Sequence, residues 1–221
     1  MWRRLFHSLC SCFFEEEAVE GSSRLLPEGL SLTRPVNATA YTLLVYGGRL
    51  GTLHLAEVPD SCYSVRILKL VCGNSHFVML TDTSKVLAAG TNEYGQCGRK
   101  HLEADECLAL DLVALDSAAA DIATGAYHTL VLCEAAEKQT LWGFGHEVAF
   151  NAQERQEMPV QIPLPEEFAD RKIKQIEAGY MRSALVLEDH TVLIWGHWRS
   201  GLKGFAVLDP SVPIRKIAIG N

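Results

Sequence analysis

Gly73-Asn74-Ser75-His76, Gly125-Ala126-Tyr127-His128 and Gly179-Tyr180-Met181-Arg182 are three copies of one phrase, each placed after an apolar run, and Gly220-Asn221 begins it again. A supersecondary unit written at a fixed period cannot bury its own apolar face and must stack on its neighbours, so the period decides the architecture before any single residue is read. The copies share a register. Val78-Met79-Leu80, Leu130-Val131-Leu132 and Ala184-Leu185-Val186 follow the first glycine at one offset, and Gly90, Gly143 and Gly196 stand 17, 18 and 17 residues after it. The phrases are 52 and 54 residues apart, and the last interval shortens to 41.

Within a copy the reading is all-β. Ile67 to Cys72 is an apolar run ending at a glycine, His76 to Thr81 is another, Asp82 to Lys85 supplies turn chemistry, and Val86 to Ala89 completes a hairpin. The third copy repeats this with Ile173 to Ala178, Ser183 to Leu187, a turn at Glu188 to His190, and Thr191 to Trp195. The second has a longer turn, Glu134 to Gln139, between His128 to Cys133 and Leu141 to Trp142. Short strands at even spacing predict radial or stacked sheets rather than a sandwich.

These residues carry a family resemblance. Gly90-Thr91-Asn92-Glu93-Tyr94-Gly95-Gln96-Cys97-Gly98 resembles the G-x-N-x-x-G-Q-L-G phrase of the regulator of chromosome condensation repeat. The preceding G-x-x-H and the hydrophobic-glycine pairs Ala89-Gly90, Trp142-Gly143 and Trp195-Gly196 are similar to the same repeat. The resemblance runs from about residue 58 to residue 221 and implies a β-propeller of seven four-stranded blades. The second copy replaces the long glycine phrase with Gly143-Phe144-Gly145-His146-Glu147-Val148, the third keeps only Gly196, Gly201 and Gly204 of it, and Arg182 stands where the histidine belongs.

At about 50 residues a blade, 221 residues make a partial propeller of three to four blades, which would not close a ring of seven. The expected organisation is a tail and linker over residues 1–36 and an incomplete propeller over 37–221, with repeats near 58–110, 111–165 and 166–211 and a truncated start at 212–221. An open propeller exposes strand edges to water. The reading therefore expects a fragment or short isoform, with the remaining blades supplied by a longer chain or another molecule.

Composition sets limits. Hydrophobic residues at 48% can fill a sizeable core, while a net charge of −7 without clustered Lys and Arg argues against direct nucleic-acid binding. Seven cysteines without C-x-x-C spacing argue against a disulfide framework and for a reducing cytoplasmic or nuclear setting. Cys72, Cys97 and Cys133 read as buried small apolar side chains.

The N-terminal stretch differs. Met1-Trp2-Arg3-Arg4-Leu5-Phe6 joins basic and aromatic residues, and Cys10-Ser11-Cys12-Phe13-Phe14 gives way to Glu15-Glu16-Glu17. Its apolar part is too short to span a bilayer. S-acylation of Cys10 and Cys12, with membrane contact through this tail, stands against a loose tail or a short helix packed on the first blade.

Site chemistry is sparse. His76 and His128 recur at one repeat position and read as structural side chains bonded within the array rather than as metal ligands. Gly73, Gly125 and Gly179 read as repeat structure, as do Gly90, Gly143 and Gly196, and Asn92, Gly95 and Gly98 of the long phrase, where glycine permits tight turns and close backbone approach. No catalytic constellation, metal or cofactor is expected. The function this favours is a non-catalytic protein-interaction platform using the rim loops Asn92 to Ala104 and Val148 to Glu167. The alternative, which the resemblance implies for some members, is a guanine-nucleotide exchange factor with a small GTPase as partner.

Overall fold

His76 to Thr81 is buried at all six residues, so this strand has no solvent face and must lie between two layers. A computed structural model describes residues 10–15, 42–47, 53–55, 65–100, 110–136, 138–146, 155–196, 204–208 and 213–220. Near the N-terminus, Cys10–Glu15 (β1), Thr42–Gly47 (β2) and Leu53–Leu55 (β3) form an antiparallel sheet in that order. Three four-stranded antiparallel blades follow. The first is Ile67–Cys72 (β4), His76–Thr81 (β5), Val86–Gly90 (β6) and Asp111–Leu112 (β7), paired in chain order. The second is Ala119–Thr124 (β8), His128–Ala135 (β9), Lys138–Gly145 (β10) and Gln156–Ile162 (β11). The third is Ile173–Ala178 (β12), Arg182–Leu187 (β13), Val192–Gly196 (β14) and Ala206–Leu208 (β15).

The period-2 alternation of each strand serves two seams at once. Val78, Leu80, Val86 and Ala88 of the first blade pack against Ile122, Val131, Cys133 and Phe144 of the second. Leu130, Leu132 and Leu141 point the other way, onto Ile176, Leu185, Leu187, Leu193 and Trp195 of the third. Phe77 and Met79 cluster with Leu87, Ala89 and Leu110 on the far side of the first blade. Burying both faces explains why these strands read as continuous apolar runs.

The first strand of every blade carries a register shift at its third residue, between Ile67 and Lys69, Ala119 and Asp121, and Ile173 and Gln175. A bulge re-aims that side chain, and each one reaches across a seam. Lys69 Nζ is 2.6 Å from an oxygen of Asp121. Gln175 donates from Nε2 to the carbonyl of Ile217 at 2.9 Å and accepts the Ile217 amide at 3.1 Å. Residues 213–220 therefore lie along the third blade as the first strands of the other blades lie along their predecessors.

Two expectations change. The turn predicted over Glu134 to Gln139 is tighter, because Ala135 pairs with Lys138 and Ala136 takes a positive φ of 53°. The longer hairpin moves the register, so Gly145, not Gly143, faces His128 as Gly90 faces His76 and Gly196 faces Arg182. Gly143 instead sits within β10 opposite Leu130. Counting from the first glycine missed this, since hairpin length differs between copies.

The second difference is Cys10–Glu15, which lies in the stretch read as tail but is a strand paired with Thr42–Gly47. Its partner is a segment some thirty residues onward, a pairing that no local period announces. Cys10 and Cys12 thus sit opposite Gly47 and Val45, while Trp2, Arg3, Arg4 and Phe6 lie outside the described residues. Among the described residues no helix is long and apolar enough to cross a membrane.

Candidate functional site

The turns that join first to second strands and the loops that leave third strands meet at one end of the array. Each of these turns is closed by the same bond. The amides of Gly73, Gly125 and Gly179 donate to the carbonyls of His76, His128 and Arg182 at 2.8, 2.9 and 2.8 Å. A side chain on the glycine has no room. A Cβ on Gly73 would stand 2.2 Å from the His76 ring and 2.5 Å from the carbonyl oxygen of Gly125, and one on Gly125 would stand 2.1 Å from the His128 ring and 2.2 Å from the oxygen of Gly179. Gly179 repeats the pattern, with Gly220 oxygen at 2.7 Å. Glycine here is a condition for neighbouring blades to touch.

The histidines also bridge seams. His76 Nε2 lies 3.1 Å from Thr129 Oγ1, and Thr129 donates its hydroxyl proton to the carbonyl of Gln96 at 2.8 Å. With that proton committed, the Thr129 oxygen can only accept, so Nε2 of His76 carries the hydrogen. His128 Nε2 is 2.9 Å from Ser183 Oγ, one blade onward. The hydroxyl partners were not singled out from the sequence, although a signal was there: Thr129 and Ser183 each stand directly after the histidine position of their copy.

Burial lowers the pKa of His128 to about 3, with the neighbouring His76 and His146 adding to the effect. The folded state thus holds it neutral while the unfolded chain takes a proton near the ordinary value of about 6.5. Above pH 6.5 this group leaves stability flat. Between pH 6.5 and 3 only the unfolded chain is protonated, so stability drops by about 1.4 kcal/mol per pH unit. Lowering the pH from 7 to 5 should cost about 2 kcal/mol through this group. Urea midpoints at the two pH values, compared with those of His128→Asn, check this; an equal pH dependence in the variant contradicts it.

The long phrase of the first copy folds around Asn92, which is fully buried. Its Nδ2 donates to the Arg99 carbonyl and its Oδ1 accepts the Cys97 amide, both at 2.9 Å. Gln96 Oε1 accepts the Tyr94 amide at 2.9 Å. Gly95 and Gly98 adopt φ of 80° and 69°. Gly95 also lies against the second blade, where a Cβ would meet Glu157 Cα at 2.4 Å. The loop is pinned internally and pressed onto its neighbour.

Aromatic rings gather on the same end. Tyr94 and Tyr127 lie 5.2 Å apart edge to face, Tyr94 and His146 5.1 Å, and Tyr127 and Tyr180 5.6 Å edge to face. None of these was picked from the sequence, because their spacing belongs to no single repeat position. Among the described residues no group of three His, Cys, Asp or Glu could hold a metal ion. Cys97 and Cys133 are buried, Cys72 is half-buried, and burial pushes the Cys133 thiol up to about 11.

Comparison with known proteins meets this geometry directly. The family described as "Regulator of chromosome condensation (RCC1) repeat" matches residues 67–96, from the bulged first strand through the loop pinned by Asn92. The first blade matches this repeat, and the chain is similar to the RCC1-repeat propellers. The human probable E3 ubiquitin-protein ligase HERC6 is 26% identical over 168 residues, covering 70% of this chain and 16% of the ligase. The human RCC1-like G exchanging factor-like protein is 33% identical over 89 residues, 38% of this chain and 19% of its own length. The crystal structure of human WBSCR16 superposes with a TM-score of 0.67 at 22% identity, covering 80% of this chain and 52% of that one, which shows a shared fold. The chain thus spans less than a fifth of each of the two curated relatives.

Proposed function

We propose that this protein is a non-catalytic protein-interaction platform of the cytoplasm or nucleus, which binds a protein partner through the end where the first-to-second-strand turns and the outgoing loops gather. The observation that carries the reading is the pinned loop of the first blade. Asn92 fixes it from within, and Gly95 seats it on Glu157 of the next blade. An irregular surface spanning two blades is thereby formed before any partner arrives, which removes much of the ordering cost of association. Of the rim loops named from the sequence, residues 101–104 and 148–154 lie outside the described residues, and Gln156–Ile162 of the second is not loop but the fourth strand of the second blade, paired with β10. The bulk of the N-terminal stretch also lies outside the described residues, and acylation of Cys10 and Cys12 stays a separate proposal, read by hydroxylamine-sensitive labelling.

A photo-crosslinking residue at exposed Glu93, on this end, should give partner adducts in cells, while one at exposed Glu134, beside the opposite hairpin, should not. Equal adducts from both positions, or none from Glu93, would sink the reading. The second reading is nucleotide exchange on a small GTPase, which the name of one relative favours. Exchange needs no covalent chemistry, only tighter binding of the nucleotide-free state. Accelerated release of labelled GDP from a GTPase panel would establish it, and unaltered release would remove it.

A further inference from the structure

The aromatic patch draws on all three blades. Tyr94 comes from the pinned loop of the first, Tyr127 and His146 from the turn and strand end of the second, and Tyr180 from the turn of the third. Tyr94, Tyr127 and His146 are half-buried, and Tyr180 is 43% exposed. Centroids between 5.1 and 6.4 Å apart leave no space for a group between the rings. The rings therefore form a closed floor, with its outer side open to solvent. The neighbouring Tyr180 phenol and burial raise the pKa of Tyr127.

Of the charges near this floor, Arg155 is ion-paired with Glu157 and Arg182 is half-buried at the start of β13, whereas the carboxylate of the pinned loop is exposed. Glu93 is exposed, follows the same loop as Tyr94, and is near enough across the seam to act on Tyr127. The faces of neutral tyrosine rings carry negative potential, and a neighbouring carboxylate adds a full charge. The whole chain carries −7. The ring faces and the exposed carboxylate are complementary to a cation.

We propose that the Tyr94–Tyr127–Tyr180–His146 floor, flanked by Glu93, docks the side chain of an arginine from a basic segment of the protein partner. Arginine is favoured over lysine because a planar guanidinium can lie on a ring while its edge reaches a carboxylate. The proposal rests on reading this end as the partner-binding surface, and adds what the partner must present.

The test is fluorescence anisotropy of labelled octa-arginine, octa-lysine and octa-glutamate peptides with the full chain. Octa-arginine should bind more tightly than octa-lysine, and octa-glutamate should not bind. Tyr180→Ala should weaken octa-arginine by about threefold or more, which is the range of an exposed cation–ring contact, whereas Tyr180→Phe, which keeps the ring, should stay within twofold. Glu93→Gln should weaken binding and flatten its salt dependence; Glu134→Gln, at the far end, should leave both unchanged. A loss smaller than threefold in Tyr180→Ala, or equal losses in Glu93→Gln and Glu134→Gln, overturns the proposal by reducing binding to general attraction. If cross-linking from Glu93 then still succeeds, the interaction surface stands and only its cationic specificity falls; if cross-linking also fails, both fall.

Discussion

Gly125→Ala should abolish the cooperative unfolding transition of this protein or lower its stability by about 4 kcal/mol or more, at the upper end of single-substitution effects. The new methyl would stand 2.1 Å from Cε1 of His128 and 2.2 Å from the carbonyl oxygen of Gly179. The ring cannot yield, since His128 is fully buried and held to Ser183. Nor can the carbonyl, which accepts the Ala126 amide at 3.1 Å. Relief requires the second and third blades to part, and their shared apolar cluster resists that. Gly220→Ala, at the equivalent repeat position, is the natural control, because nothing lies within 4 Å of a Cβ there; it should stay within about 0.5 kcal/mol of wild type. Combining Gly125→Ala with His128→Ala should restore little, as the carbonyl overlap persists. Urea unfolding followed by circular dichroism reads all three variants, and a Gly125→Ala protein as stable as Gly220→Ala would refute this account of the seam.

Trp195→Ala should cost about 3 to 5 kcal/mol, the usual range for removing a buried large aromatic side chain. Trp195 is the largest fully buried side chain among the described residues and belongs to the cluster that joins the second and third blades. The Phe205 ring lies 5.0 Å from it. Packed strands on both sides cannot collapse into the vacated volume without breaking register, so the void persists and its lining loses contacts. Trp142, facing the other seam, gives the contrast. It is only partly buried and its indole nitrogen donates to Thr140 Oγ1 at 3.0 Å, so Trp142→Ala should cost clearly less. Denaturant midpoints distinguish the two, and equal costs would show that the seam clusters do not dominate stability.

Much of this architecture was legible in the sequence because the glycines and strands repeat together. The first three strands of the first and third blades fall where the apolar runs placed them, since hairpins of equal length keep both copies in one register. The fourth strands were harder to see. Asp111–Leu112 and Ala206–Leu208 are short and largely exposed, and no apolar pattern marks a strand that has only one neighbour. Gly145 was misassigned to Gly143 because a longer hairpin breaks the count while preserving the pairing. The aromatic floor was invisible for a different reason. Tyr94, Tyr127 and Tyr180 occupy different offsets in their repeats, and only the stacking of the blades brings them together.

The histidine and turn-glycine links across the two seams point in one direction. His76 reaches forward to Thr129, His128 reaches forward to Ser183, and each turn glycine meets the carbonyl of the glycine one blade ahead. Such a joint is head-to-tail, like a row of identical tiles with a tongue on one edge and a groove on the other. No tile records how many others exist. The size of a ring made this way is then set by the angle between successive tiles, and whole tiles can be gained or lost in evolution without rewriting the chemistry of any joint.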